Sequence, residues 1–132
     1  MAEPTIAVVN NDTDFLGLME ELLRLEGHKT IICRSGDRAY ELMKQVQPDL
    51  IVLDIRLEHA ETGWTVLERL RLDPTTTAIP VIICSADSAF LREKALSLQQ
   101  LRCDTLEKPF DLDMLLEKVA RMLEQHPPRG AN

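Results

Sequence analysis

The chain predicts an α/β fold, a doubly wound parallel sheet of five strands with helices on both faces. Three observations predict it. Short apolar segments alternate with segments whose apolar residues recur at helical spacing. The runs Leu50–Leu53 and Pro80–Cys84 are apolar throughout, as strands covered on both faces are. The residues with reactive side chains follow strands, where open sheets of this class hold their functional crevice.

Ile6–Val9 reads as the first strand. Phe15–Leu25 follows as a helix with Phe15, Leu18, Met19, Leu22 and Leu23 at helical spacing, and Gly27 ends it. Thr30–Cys33 is the second strand. Ser35-Gly36-Asp37 opens a helix carrying Ala39, Leu42, Met43 and Val46, which Pro48 stops. Leu50–Leu53 is the third strand. Gly63 precedes a helix with Val66, Leu67 and Leu70, and Asp73-Pro74 begins a turn. Pro80–Cys84 is the fourth strand. Ala86–Leu98 reads as one helix with Phe90, Leu91, Ala95 and Leu98 along one side. Cys103–Leu106 is a weaker fifth strand, and Asp111 caps a last helix carrying Met114, Leu115, Val119 and Met122. The expected domain is 1–125. The tail 126–132, with Pro127 and Pro128, cannot continue the helix.

A length of 132 residues with 45% hydrophobic content is one domain with an ample core. The net charge of −7 opposes direct binding to nucleic acid or to an anionic membrane. Glu3, Asp12, Asp14 and Glu20 argue against a secretory signal, and no apolar run is long enough to span a bilayer. Cys33, Cys84 and Cys103 form no metal or redox motif and read as reduced, buried thiols of a cytoplasmic protein. The turn after the first strand lacks a glycine-rich loop, so neither a nucleotide nor a flavin is expected as cofactor. His28, His59 and His126 read as solvated, and Trp64 as packed at the start of its helix.

Asp54, Ser85 and Lys108 follow three different strands. An acceptor carboxylate, a hydroxyl and an ammonium so placed form a site for transferring and holding a phosphoryl group. Where such a site needs an acidic pair to hold a metal, this chain has Asn10-Asn11.

On the segments Val8-Val-Asn-Asn-Asp12, Pro48-Asp-Leu-Ile-Val-Leu-Asp54, Thr62-Gly63, Ile79-Pro-Val-Ile-Ile-Cys-Ser-Ala86 and Glu107-Lys-Pro-Phe110, the chain resembles the receiver domain of bacterial two-component response regulators over residues 5–125. The resemblance implies a flavodoxin-like sheet of order 2-1-3-4-5. It makes Asp54 the phosphoacceptor for a histidine kinase or phosphotransfer protein. Ser85 and Lys108 would contact the phosphoryl group, Ala86 would leave room for it, and the Lys108-Pro109 bond would be cis. The metal ligands would be Asn11, Asp54, the backbone carbonyl of Arg56 and, at a stretch, Asp12. With Asn10 and Asn11 in the acidic-pair positions, magnesium binding would be weak, and Lys108 would pair with Asp54 directly. Thr105 occupies the position of the aromatic that commonly swings inward on phosphorylation. Thr62 replaces the acid that often precedes Gly63.

The leading expectation is a receiver domain in phosphorelay signalling with weakened magnesium-dependent phosphorylation, acting in the cytoplasm on a downstream protein as a monomer or weak homodimer, and not an enzyme. One alternative is a phosphate-independent pseudo-receiver that acts by docking. A covalent-aspartate phosphatase, which wants a further acid to activate water, and a flavin-binding electron carrier are the readings from other classes. Arg92, Glu93, Gln99 and Gln100, with Asp113, Glu117 and Arg121, are candidate exposed positions on the last helices.

Overall fold

A computed structural model describes residues 3–59 and 62–126. Most of the expected tail, residues 127–132, lies outside the described residues, as do Ala60 and Glu61 in the loop before Gly63. In chain order the elements are β1 (Thr5–Val9), α1 (Thr13–Leu25), β2 (Lys29–Cys33), α2 (Gly36–Val46), β3 (Leu50–Asp54), α3 (Thr62–Leu72), β4 (Val81–Ser85), α4 (Ser88–Glu93), α5 (Ala95–Gln100), β5 (Cys103–Glu107) and α6 (Leu112–Gln125). The strands form one sheet of order β2-β1-β3-β4-β5, every neighbouring pair parallel. The chain reverses its winding between β1 and β3, which opens a crevice at the C-terminal ends of those two strands.

Alternation along the strands builds the core in two layers. Ala7, Val9, Ile51, Leu53, Val81 and Ile83 face the side covered by α2 to α5, where Met43, Leu67, Leu70 and Leu98 pack. Ile6, Val8, Leu50, Val52, Ile82 and Cys84 face the other side, against Leu16, Met19 and Leu23 of α1 and Leu115, Val119 and Met122 of α6. Two-sided burial explains why β3 and β4 read as unbroken apolar runs. The edge strand β2 carries exposed residues.

Several local expectations are corrected. The inward stripe of α1 is Leu16, Met19 and Leu23, whereas Leu18 is exposed. On α6 Met114 is likewise exposed, while Leu115, Val119 and Met122 are buried. A neighbouring apolar residue at the same helical spacing is indistinguishable by sequence once the stripe is rotated by one position. The helix expected over Ala86–Leu98 is two short helices, α4 and α5, separated at Lys94. Lys94 is at once the C-cap of the first and the N-cap of the second, and Ala95 is exposed. Helix α3 starts at Thr62, so Gly63 lies in its first turn. Asp111 and Ser35 occupy N-cap positions without a side-chain capping bond. Cys33 and Cys84 are buried free thiols, but Cys103 is only half-buried. His28 is half-buried as well, and burial lowers its pKa, opposed by the charges of Glu26 and Glu3. Among the described residues no helix is long and apolar enough to cross a membrane.

Candidate functional site

Asp54 is the last residue of β3 and Ser85 the last of β4, each 5% exposed, so both side chains emerge at the rim of the sheet rather than in its core. Lys108 follows β5 directly; its backbone N–H donates to the Ser85 carbonyl at 2.8 Å, and its bond to Pro109 is cis. The register places these three strand ends side by side. They line a cavity of about 450 Å³ together with Asn11, Arg56, Ala86 and Asp87.

Both oxygens of the Asp54 carboxylate are engaged. Lys108 Nζ donates to Asp54 Oδ2 at 2.7 Å, and Asn10 Nδ2 donates to the same oxygen at 3.2 Å. The backbone N–H of Arg56 donates to Asp54 Oδ1 at 3.2 Å. The expected direct pairing of Lys108 with Asp54 is therefore present. Asn10 is itself 5% exposed, so its amide is a fixed part of the site. Below the carboxylate, the Cys84 thiol is pushed up to about 12, first by burial and then by the charge of Asp54, and is inert at neutral pH.

Ser85 Oγ accepts the backbone N–H of Asp87 at 3.1 Å, and Asp87 Oδ1 accepts the N–H of Phe90 at 2.9 Å as the cap of α4. The hydroxyl is thus tied to the start of α4. Thr105, half-buried on β5, lines neither this cavity nor the adjoining one around Pro109 and Phe110.

The donor set suits magnesium poorly as arranged. Asn10 turns its amide nitrogen to Asp54 and gives its oxygen to the N–H of Asp12 at 2.8 Å. Asn11 donates its amide nitrogen to the Leu57 carbonyl at 3.2 Å. Asp12 caps α1, its Oδ1 accepting from the N–H groups of Asp14 and Phe15. A hard divalent cation prefers carboxylate oxygens, and Asp54 is the one buried acid among the described residues. Among the described residues no group of three acidic, histidine or cysteine side chains is placed to hold a metal.

Glu58 was not legible from sequence as a site residue. Its carboxylate accepts the N–H of Gly36 at 2.8 Å, the N–H of Asp37 at 3.2 Å and the hydroxyl of Ser35 at 3.1 Å. Those bonds, the Gly36 N–H foremost, hold its carboxyl below the usual range. Its partners lie 21 to 23 residues earlier in the chain, so no local pattern announces it. Trp64 is buried and meets Phe90 edge-to-face at 5.8 Å, with Lys94 over its ring at 5.1 Å. Phe90 in turn lines the acceptor cavity.

A family model for the response regulator receiver domain matches residues 6–120. The DNA-binding dual master transcriptional regulator RpaA of Synechocystis is 32% identical over 92% of this chain and 50% of its own length. The chain spans about half the length of the first curated relatives it matches. The beryllofluoride-activated NtrC receiver domain matches with a TM-score of 0.77 and 26% identity, over 96% of this chain and 98% of its own. A receiver domain of the Pseudomonas aeruginosa sensor histidine kinase PA1611, solved with magnesium in its active-site cleft, shares the fold at a TM-score of 0.77 and 22% identity, covering 93% and 99% of the two chains. The sheet order and these matches agree: the chain belongs to the family of response regulator receiver domains, the phosphorelay modules of two-component signalling.

Proposed function

We propose that the domain is a signalling switch in which Asp54 accepts a phosphoryl group from the phosphohistidine of a histidine kinase or phosphotransfer protein. An Asp54 oxygen attacks phosphorus in line, the P–N bond breaks, and its electron pair returns to the imidazole. Lys108 and Ser85 then hold the phosphoryl oxygens, with Ala86 leaving space beside them. Phosphoryl transfer needs mostly position and countercharge. The observation that carries the reading is Lys108 Nζ at 2.7 Å from Asp54 Oδ2, at the meeting point of three strand ends. Magnesium has a subordinate part, because Asn10 and Asn11 present amide hydrogens where a cation wants oxygen.

A downstream protein, reached in the cytoplasm by a monomer or weak homodimer, completes the reading. No steady turnover is expected. A covalent-aspartate phosphatase needs a second acid to activate water, and the acids that share a cavity with Asp54 among the described residues, Asp12 and Asp87, cap helices. A second reading is a phosphate-independent docking module. The same ion pair favours it, since Lys108 itself supplies the countercharge of Asp54.

The test is intact mass after incubation with acetyl phosphate or a phosphorylated phosphotransfer protein, with magnesium or EDTA, for the wild type and Asp54→Asn. One phosphoryl group on the wild type alone, with a yield that changes little between magnesium and EDTA, is the expected result. No adduct from either donor, on protein with native circular dichroism, overturns the switch in favour of the docking module.

A further inference from the structure

We propose that Glu58 is a positioning residue for the acceptor site, a latch that holds the loop after β3 against the N-terminus of α2. Residues 56–58 each touch a different neighbour. Arg56 donates its N–H to Asp54 Oδ1, Leu57 accepts the Asn11 amide on its carbonyl, and Glu58 takes three donors from Ser35, Gly36 and Asp37. The segment that supplies a backbone donor to Asp54 is therefore tied down two residues after Arg56, at Glu58. Helix α2 has no side-chain cap of its own, because Ser35 donates its hydroxyl outward to Glu58. A carboxylate across the first N–H groups of a helix meets both their unsatisfied hydrogens and the positive end of the dipole.

Close approach is built in. A Cβ at residue 36 would meet the Glu58 carboxylate oxygen at 3.2 Å and Leu57 Cδ1 at 3.2 Å, and would come closer still to Thr62 Cγ2. Glycine at 36 is what lets the loop lie on the helix start. The latch has a job particular to this chain. An asparagine pair that suits a cation poorly leaves the Arg56 segment to be fixed by protein contacts, and Glu58 supplies three of these as hydrogen bonds beside the buried Leu57 side chain.

Only the functional arm of this inference rests on Asp54 as phosphoacceptor, so the test has two arms. The first is amide hydrogen exchange by NMR on the full chain, for wild type, Glu58→Ala, Glu58→Gln and Tyr40→Phe. Tyr40→Phe is the control, since it weakens α2 by losing the Asp73 contact without touching the loop. Glu58→Ala is expected to speed exchange of Gly36, Asp37 and Arg56 about fivefold or more, with the amides of Ile51 and Val52 unchanged. Glu58→Gln, which keeps one acceptor oxygen, falls between, and Tyr40→Phe leaves Arg56 as in the wild type. If Gly36 and Asp37 speed up while Arg56 does not, Glu58 is a helix cap and nothing more. A rise at every amide alike overturns the latch equally. The second arm is the rate of acetyl phosphate labelling, expected to fall in Glu58→Ala and recover in Glu58→Gln. A wild type that takes no phosphoryl group refutes the acceptor reading, and the exchange arm still decides the latch.

Discussion

Replacing Asn10 by aspartate tests whether the amide pair keeps the acceptor site neutral. The Asn10 amide nitrogen lies 3.2 Å from Asp54 Oδ2. Two unit negative charges at that separation repel by about 5 kcal/mol at an effective dielectric of about 20. The new carboxyl can escape by keeping its proton, which at pH 7 costs about 4 kcal/mol for a group of ordinary pKa. The smaller number is the ceiling, and Lys108 Nζ, 2.7 Å from the same oxygen, lowers it further. Loss of the amide hydrogen bond adds about 1 kcal/mol. Asn10→Asp is therefore expected to cost about 2–4 kcal/mol at pH 7 in EDTA, and about 1–2 kcal/mol at pH 5, where protonation is cheaper. The sign follows from a folded-state pKa raised above the unfolded one. The penalty is absent below the ordinary carboxyl range and grows as pH rises toward the raised value. Magnesium should then restore stability to the variant, by about 2.7 kcal/mol at one hundred times its dissociation constant. The assay is urea unfolding of both proteins at the two pH values, in EDTA and in magnesium. If the wild type gains as much from magnesium as the variant, or if the two are equally stable in EDTA, the reasoning fails.

Three further outcomes are expected. Lys108→Met leaves Asp54 buried with the Asn10 and Arg56 donors among the described residues, and should cost about 1–3 kcal/mol in urea, less than a fully buried pair because the lysine side chain is 33% exposed; adding Asp54→Asn should recover most of it, and a double variant as unstable as the single one would contradict this. Gly63→Ala puts a Cβ 2.7 Å from Ile55 Cα and closer still to the Asp54 carbonyl oxygen, so a loss of about 1–3 kcal/mol and slower phosphoryl labelling should appear together; wild-type behaviour in both would disprove the close packing. Asp73, held below the usual carboxylate range first by the Tyr40 hydroxyl and then by Thr75, lends stability that is present above the ordinary carboxyl pKa and is lost as pH falls through its folded value. Tyr40→Phe should flatten that acid limb in urea midpoints measured from pH 6 downward, and an unchanged slope would remove Tyr40 from the account.

The residues of the candidate site were legible because they sit on the most legible elements. β3 and β4 are buried on both faces, so their apolar runs have sharp ends, and the residues at those ends, Asp54 and Ser85, declare themselves. Asn10-Asn11 was readable as a departure for the same reason, since it follows β1. The helix faces were less legible. Leu18 and Met114 fit the spacing as well as Leu16 and Leu115 do, and only packing against β1 and β3 selects between them. The break at Lys94 follows no proline or glycine, so nothing in the local pattern marks it.

By itself the sequence determined the alternation of strand and helix, the identity of the three strand-end groups and the asparagine pair after the first strand, because these depend on residue type and short-range order. Tertiary structure decided what those groups do to one another. It turned the Asn10 amide nitrogen, rather than its oxygen, toward Asp54, committed Asp12 and Asp87 to helix caps, and brought Glu58 onto α2. Each of these is a choice among hydrogen-bond partners distant in sequence, settled by which donors and acceptors the packed sheet and helices bring within about 3 Å.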